Sequence, residues 1–87
     1  MAERRRRRLL QRLLSGSKHI RFTEVVACAE AFGFRLSRVS GSHHIYVHAD
    51  IPALVNPHNV HGKAKPYQVK QLLRFIERYN LHMEEEP

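Results

Sequence analysis

At Gly33 the spacing of apolar residues in this 87-residue chain changes from helical to alternating, and at Pro66 it changes back. Before the switch, Val25, Val26, Ala29 and Phe32 form a helical stripe; after it, Phe34 and Leu36 alternate with Arg35 and Ser37. Beyond Pro66, Val69, Leu72, Leu73 and Ile76 recur at i, i+3, i+4 and i+7. A block of strands between two amphipathic helices predicts one α+β domain, because a half-apolar sheet must be covered by helices.

The strand block has its own punctuation. Ser40-Gly41-Ser42 turns the first strand into a second one carrying His43 to His48, and a third strand is expected over Ala53 to Asn56, between Pro52 and Pro57. Short connections make the sheet an antiparallel meander. Successive strand side chains point to opposite faces, so Ile45 and Val47 share one face and His44, Tyr46 and His48 the other. With the aliphatic pair placed against the core, parity makes His44 the exposed imidazole and Tyr46 an outward aromatic. His43 has the parity of Ile45, but it follows Gly41 and Ser42, where a turn or bulge can re-aim it.

The flanking helices show conventional ends. Over residues 22–33, Thr23 is the expected cap, Glu24 suits the positive end of the helix dipole, Phe22 is placed to pack back as a staple, and Gly33 supplies a left-handed stop. Pro66 fits the first position of the later helix, with Asn80 as its C-terminal cap before Leu81 packs back. Lys70, Arg74 and Arg78 recur every four residues away from the apolar stripe and make a basic ridge. Such a ridge is either a solvated surface or a track for a phosphate backbone.

Charge matters because of where it lies. Residues 1–21 carry the entire net charge of +7, and residues 22–87 sum to zero. The opening segment, with Arg4 to Arg8 and Leu9, Leu10, Leu13 and Leu14 on one helical face, is expected to pack as a helix or to serve as a phosphate-binding arm. An acidic protein partner would suit it equally. Ser15-Gly16-Ser17 ends it, dividing the chain into a basic helix and linker (1–17), a folded domain (18–82) and an acidic, fraying tail (83–87).

No apolar run approaches the ~18 residues of a membrane span, and the basic start lacks the apolar core of a signal peptide. A cytoplasmic location without a membrane is expected. Cys28, the single cysteine, sits among Val25, Val26, Ala29 and Phe32 and is expected to be a buried apolar residue.

Two places concentrate chemistry. The loop Pro57 to Lys65 brings Lys63 and Lys65 to the start of the second amphipathic helix, a plausible anion site. The histidines around the second strand are the other. Metal ligation is a poor use for them: His44 and His48 would lie ~13 Å apart along a strand, and His58 and His61 have no carboxylate or cysteine nearby in sequence.

Gly33-Phe34-Arg35-Leu36, Val39 to Tyr46 and Gly62 to Leu73 together resemble the HicA (YcfA-like) family, the toxin components of HicA/HicB toxin–antitoxin systems. The resemblance covers roughly residues 22–81. It implies an αβββα fold like a double-stranded RNA-binding domain, with the basic helix as an addition. It further implies a ribosome-independent mRNA endonuclease without a small-molecule cofactor, a catalytic strand histidine, and a HicB-like antitoxin partner. The family's glycine-serine-histidine motif points to His43, whereas strand parity points to His44; both are candidates. The Arg4 to Arg8 run lies outside the family motif, and Asn56-Pro57-His58 matches only loosely a proline-and-histidine segment of other members.

The chemistry is self-consistent. RNA carries its own nucleophile, the 2′-hydroxyl, so an imidazole with a pKa of about 6.5 can act as general acid or base at neutral pH. Lys63 and Lys65 are candidates for stabilising the phosphate, and Lys70, Arg74, Arg78 and Tyr46 for contacting RNA. The implied products are a 2′,3′-cyclic phosphate and a 5′-hydroxyl. The alternative is a non-catalytic double-stranded RNA-binding module of the same fold.

Overall fold

The computed structural model describes residues 2–16, 18–41 and 43–84, with side chains from residue 4 onward. The elements are α1 (Ala2–Leu14), α2 (Phe22–Ala31), β1 (Phe34–Ser40), β2 (His43–His48), β3 (Leu54–Val55) and α3 (Pro66–Arg78). The strands form one antiparallel sheet in the order β1-β2-β3, so the α+β class and the αβββα order with an added first helix hold. None of these helices is long and apolar enough to cross a membrane.

Phe34 sets which face of the sheet is covered. It follows Gly33, whose φ of 97° suits a residue without a side chain, and is fully buried directly after α2. Its cross-strand partner is His48, and residues paired across a ladder share a face. The even positions of β2 therefore point inward. Tyr46 is only 5% exposed and belongs to the core, whereas Val47 is 39% exposed. The expected facing is thus inverted. Burying the large Tyr46 ring removes more apolar surface than burying Val47, and Val55, paired with Tyr46, joins it in the core.

A bulge between Leu36 and Arg38 adds a residue to β1. It re-phases the strand so that Arg38 pairs with Ile45, and Ser40 with His43, on the open face. Gly41, at φ 61°, makes the turn that follows; Ser42, and with it the serine of the expected motif, lies outside the described residues. The third strand is shorter than expected, two residues instead of four.

Helix ends differ in detail. The N-cap of α2 is Arg21 rather than Thr23; Phe22 is already helical, and the Glu24 carboxylate accepts the Arg21 backbone N–H at 2.9 Å. The end of α3 is a Schellman motif: Leu81 N–H donates to Ile76 C=O at 2.9 Å and Asn80 N–H to Glu77 C=O at 3.2 Å, with Asn80 at φ 51°. The α3 stripe packs as expected, with Val69 and Leu72 buried and Leu73 and Ile76 half-buried.

Neither end of the described chain is separate from the domain. Leu13 of α1 is 2% exposed and inside the core, with Leu10 packed on it, while Leu14 is 61% exposed. At the other end, Met83 packs on the core, Glu84 N–H donates to Ala31 C=O at 2.8 Å, and the Glu84 carboxylate pairs with Arg35. Residues 83 and 84 thus pack on the domain, and residues 85–87 of the expected tail lie outside the described residues. Cys28 is fully buried, and burial pushes its thiol up to about 12.

If α1 is part of the core, Leu13→Ala should destabilise the fold by about 2–4 kcal/mol in urea denaturation, while Leu14→Ala changes it by less than about 0.5 kcal/mol. Gly33→Ala is expected to cost about 1–3 kcal/mol in the same measurement, because a Cβ there would lie 2.8 Å from His48 Nε2.

Candidate active site

The inversion of β2 decides which histidine is presented. His43 projects on the open face and is exposed, whereas His44 lies on the covered side with its ring 5.0 Å from that of Phe22. His48 is structural: Nδ1 accepts the Asp50 N–H and Nε2 donates to Phe32 C=O, both at 3.0 Å. Those two bonds fix its tautomer and tie the second strand to the end of α2.

His43 has a partner that the sequence did not reveal. The segment after β3 returns along the start of β2, forming a bridge between His43 and His58. Their rings meet edge to face with centroids 4.1 Å apart. Asn56 Nδ2 lies 3.4 Å from His43 Nδ1, while its Oδ1 is buried without a partner. A half-turn of this amide would present either a donor or an acceptor to His43, so Asn56 can serve both charge states of the ring.

α3 holds this segment in place. Gln68 is 2% exposed and uses both ends of its amide: Oε1 accepts the His58 N–H at 2.9 Å and Nε2 donates to Asn56 C=O at 2.7 Å. Between those residues the Pro57 ring is fully buried. Gln68 lies one turn before Leu72 on the apolar stripe, and a polar residue at such a position is the sequence signal that marks this brace.

The pKa of His58 is lowered by desolvation first, then by the neighbouring His43 and Lys65, so His58 favours its neutral form. Lys65 is the exposed N-cap residue of α3 and adds positive charge beside the pair. On the sheet side, Arg38, Ser40, His43, Ile45 and Asn56 line a shallow groove. Arg38, not expected from the sequence to take part, brings a cation to that groove.

The other candidate residues divide. Lys63 lines a different cleft, with Arg21 and His61. Lys70, Arg74 and Arg78 are exposed along α3, but about 200° of helix rotation separates Lys70 from Gln68, so the ridge points away from the segment that Gln68 holds. Tyr46, expected to face outward, is in the core, where desolvation and then the charge of Glu30 raise its pKa. Among the described residues, no three His, Cys, Asp or Glu side chains are arranged to hold a metal ion.

The site is thus a three-stranded sheet backed by helices, with His43 exposed on the open face and the half-buried His58 against it. The family profile described as the HicA toxin of bacterial toxin–antitoxin matches residues 22–77, and the chain belongs to that family. Membership gives it the toxin role, with a cognate antitoxin as partner. A search of curated proteins finds no match.

Gln68→Ala removes both amide bonds at once. It is expected to destabilise the fold by about 2–4 kcal/mol, since each stranded backbone group costs about 1–3 kcal/mol, whereas Gln71→Ala, on the half-buried side of the same helix, should cost less than about 1 kcal/mol. Equal losses in urea titrations would refute the brace.

Proposed function

We propose that the chain is a metal-independent endoribonuclease that cleaves mRNA in the bacterial cytoplasm, with His43 and His58 as its acid–base pair. The observation that carries this reading is the edge-to-face contact of the two rings on the open sheet face, 4.1 Å between centroids. Rings this close leave no room for a phosphate between them. A phosphodiester therefore docks across their outer edges, with Arg38 on the sheet side and Lys65 on the helix side.

The division of labour follows from the environments. His58, held towards neutrality by desolvation, His43 and Lys65, takes the proton of the attacking 2′-hydroxyl. The 2′-oxygen bonds to phosphorus and the bond to the 5′-oxygen breaks. His43 protonates that leaving oxygen. The products are a 2′,3′-cyclic phosphate and a 5′-hydroxyl, and the cations offset the charge that develops on the phosphoryl oxygens.

His44, the other strand histidine, takes no part in this scheme because its ring packs against Phe22. A non-catalytic RNA-binding module gives no reason for an exposed imidazole in ring contact with a second, half-buried one. An antitoxin that silences the enzyme would find apolar surface farther along the same sheet face, where Val47 and Leu54 pair and are 39% and 48% exposed.

Purified protein incubated with 5′-labelled structured RNA in EDTA is expected to cleave it, and His43→Ala or His58→Ala to lower kcat/KM by about 10²–10⁴. His44→Ala is expected to retain cleavage once its folding is verified. RNA that is bound but left intact by the wild type, or 5′-phosphate ends, would defeat the reading. In a pH profile of kcat/KM, the limb that rises with pH reports deprotonation of the base. Because the His58 pKa is lowered, that limb should have its midpoint below the ordinary histidine value of about 6.5, and His58→Ala should remove it.

A further inference from the structure

A second cationic cleft lies on the other side of the 58–65 loop. It is lined by Arg12 from α1, His19 and Arg21 from the α1–α2 connection, Thr23 from the first turn of α2, and His61 and Lys63 from the loop. Its walls are fixed by backbone bonds. Val60 and Lys63 exchange both backbone hydrogen bonds around His61 and Gly62, at φ 54° and 82°, which makes the loop tip a tight type I′ hairpin. The hairpin is fastened to α2 because Gly62 C=O accepts the Phe22 N–H at 3.0 Å, while Ala64 N–H donates to Ile20 C=O at 3.0 Å.

The charges in the cleft are unequal in their commitments. Arg12 is held by the Glu24 carboxylate and by His19 C=O, the latter at 2.9 Å. Arg21 and Lys63 are exposed and have no carboxylate partner among the described residues. Two uncommitted cations on rigid backbone, with Arg12 as a third cation behind them, match a phosphate group.

We infer that this cleft is a second phosphate subsite, which grips the RNA backbone to one side of the His43–His58 pair; the inference rests on the RNA-cleaving reading of that pair. RNA fits better than a free nucleotide because the cleft is open and shares a loop with the histidines. Lys63 lies five positions after His58, a span of at most ~18 Å, so one short strand reaches both places. Arg12 belongs to α1, outside the family match at residues 22–77. The basic extension thus completes a binding site rather than acting as a loose arm.

The test uses the full chain and a fluorescein-labelled, fully 2′-O-methylated RNA, which binds but lacks the nucleophile. In fluorescence anisotropy, Arg21→Gln with Lys63→Gln should weaken Kd about tenfold and reduce the slope of log K against log salt by about 1.4, at ~0.7 per lost single-strand contact. Arg21→Lys with Lys63→Arg should restore both. If the double glutamine variant melts below the wild type, the exposed Lys63→Gln alone should give about half the slope change. Unchanged Kd and slope, a loss that the charge-keeping pair does not rescue, or a deficit confined to ATP binding would overturn the inference. Because the probe cannot be cleaved, binding that depends on the cleft without cleavage of ordinary RNA would sink the nuclease reading alone. No binding by the wild type would overturn both.

Discussion

Burial of Phe34 at the junction of α2 and the sheet governs everything downstream of it. Gly33 lets the chain turn sharply, Phe34 is driven into the core, and the antiparallel pairing of Phe34 with His48 hands its inward facing to every second residue of β2. Tyr46 enters the core by that rule, and His43 is presented on the open face. A shift of one residue in this register would exchange all these roles, because side chains in a strand alternate strictly. The fold and the candidate site thus share a single constraint.

The site is completed from the opposite side by α3. A buried glutamine in an apolar stripe is costly unless both ends of its amide are used, and here they are, on the two residues flanking Pro57. The helix that covers the sheet is therefore also the support for His58. Rigid support matters for acid–base chemistry because small displacements of the transferring groups cost rate steeply. Lys65, at the start of the same helix, supplies charge to a place whose geometry Gln68 maintains.

The N-terminal extension shows how composition and packing divide a segment between them. Its arginines account for most of the net charge, yet Leu13 makes it part of the core and Arg12 ties it to the first turn of α2. Residues 83 and 84 close the opposite end by packing and by the Glu84 contacts to Ala31 and Arg35. Segments that look like polar appendages in one dimension become structural when a few apolar residues find the core.

The sequence by itself determined the elements, their order and the family, because helix and strand periods, turn glycines and prolines, and the glycine-serine-histidine motif are local signals. It also put forward two adjacent histidines, His43 and His44, as candidates for the site. Which of those faces outward was decided only in three dimensions: alternation defines two sets of residues in β2 but not which set is covered, and that choice went to Tyr46 through Phe34. The pairing of His43 with His58, the brace from Gln68, the contribution of Arg38 and the separation of Lys63 from Lys65 likewise belong to the tertiary structure. Each joins groups distant in sequence, or sets neighbours on opposite sides of a loop, and neither is carried by local spacing.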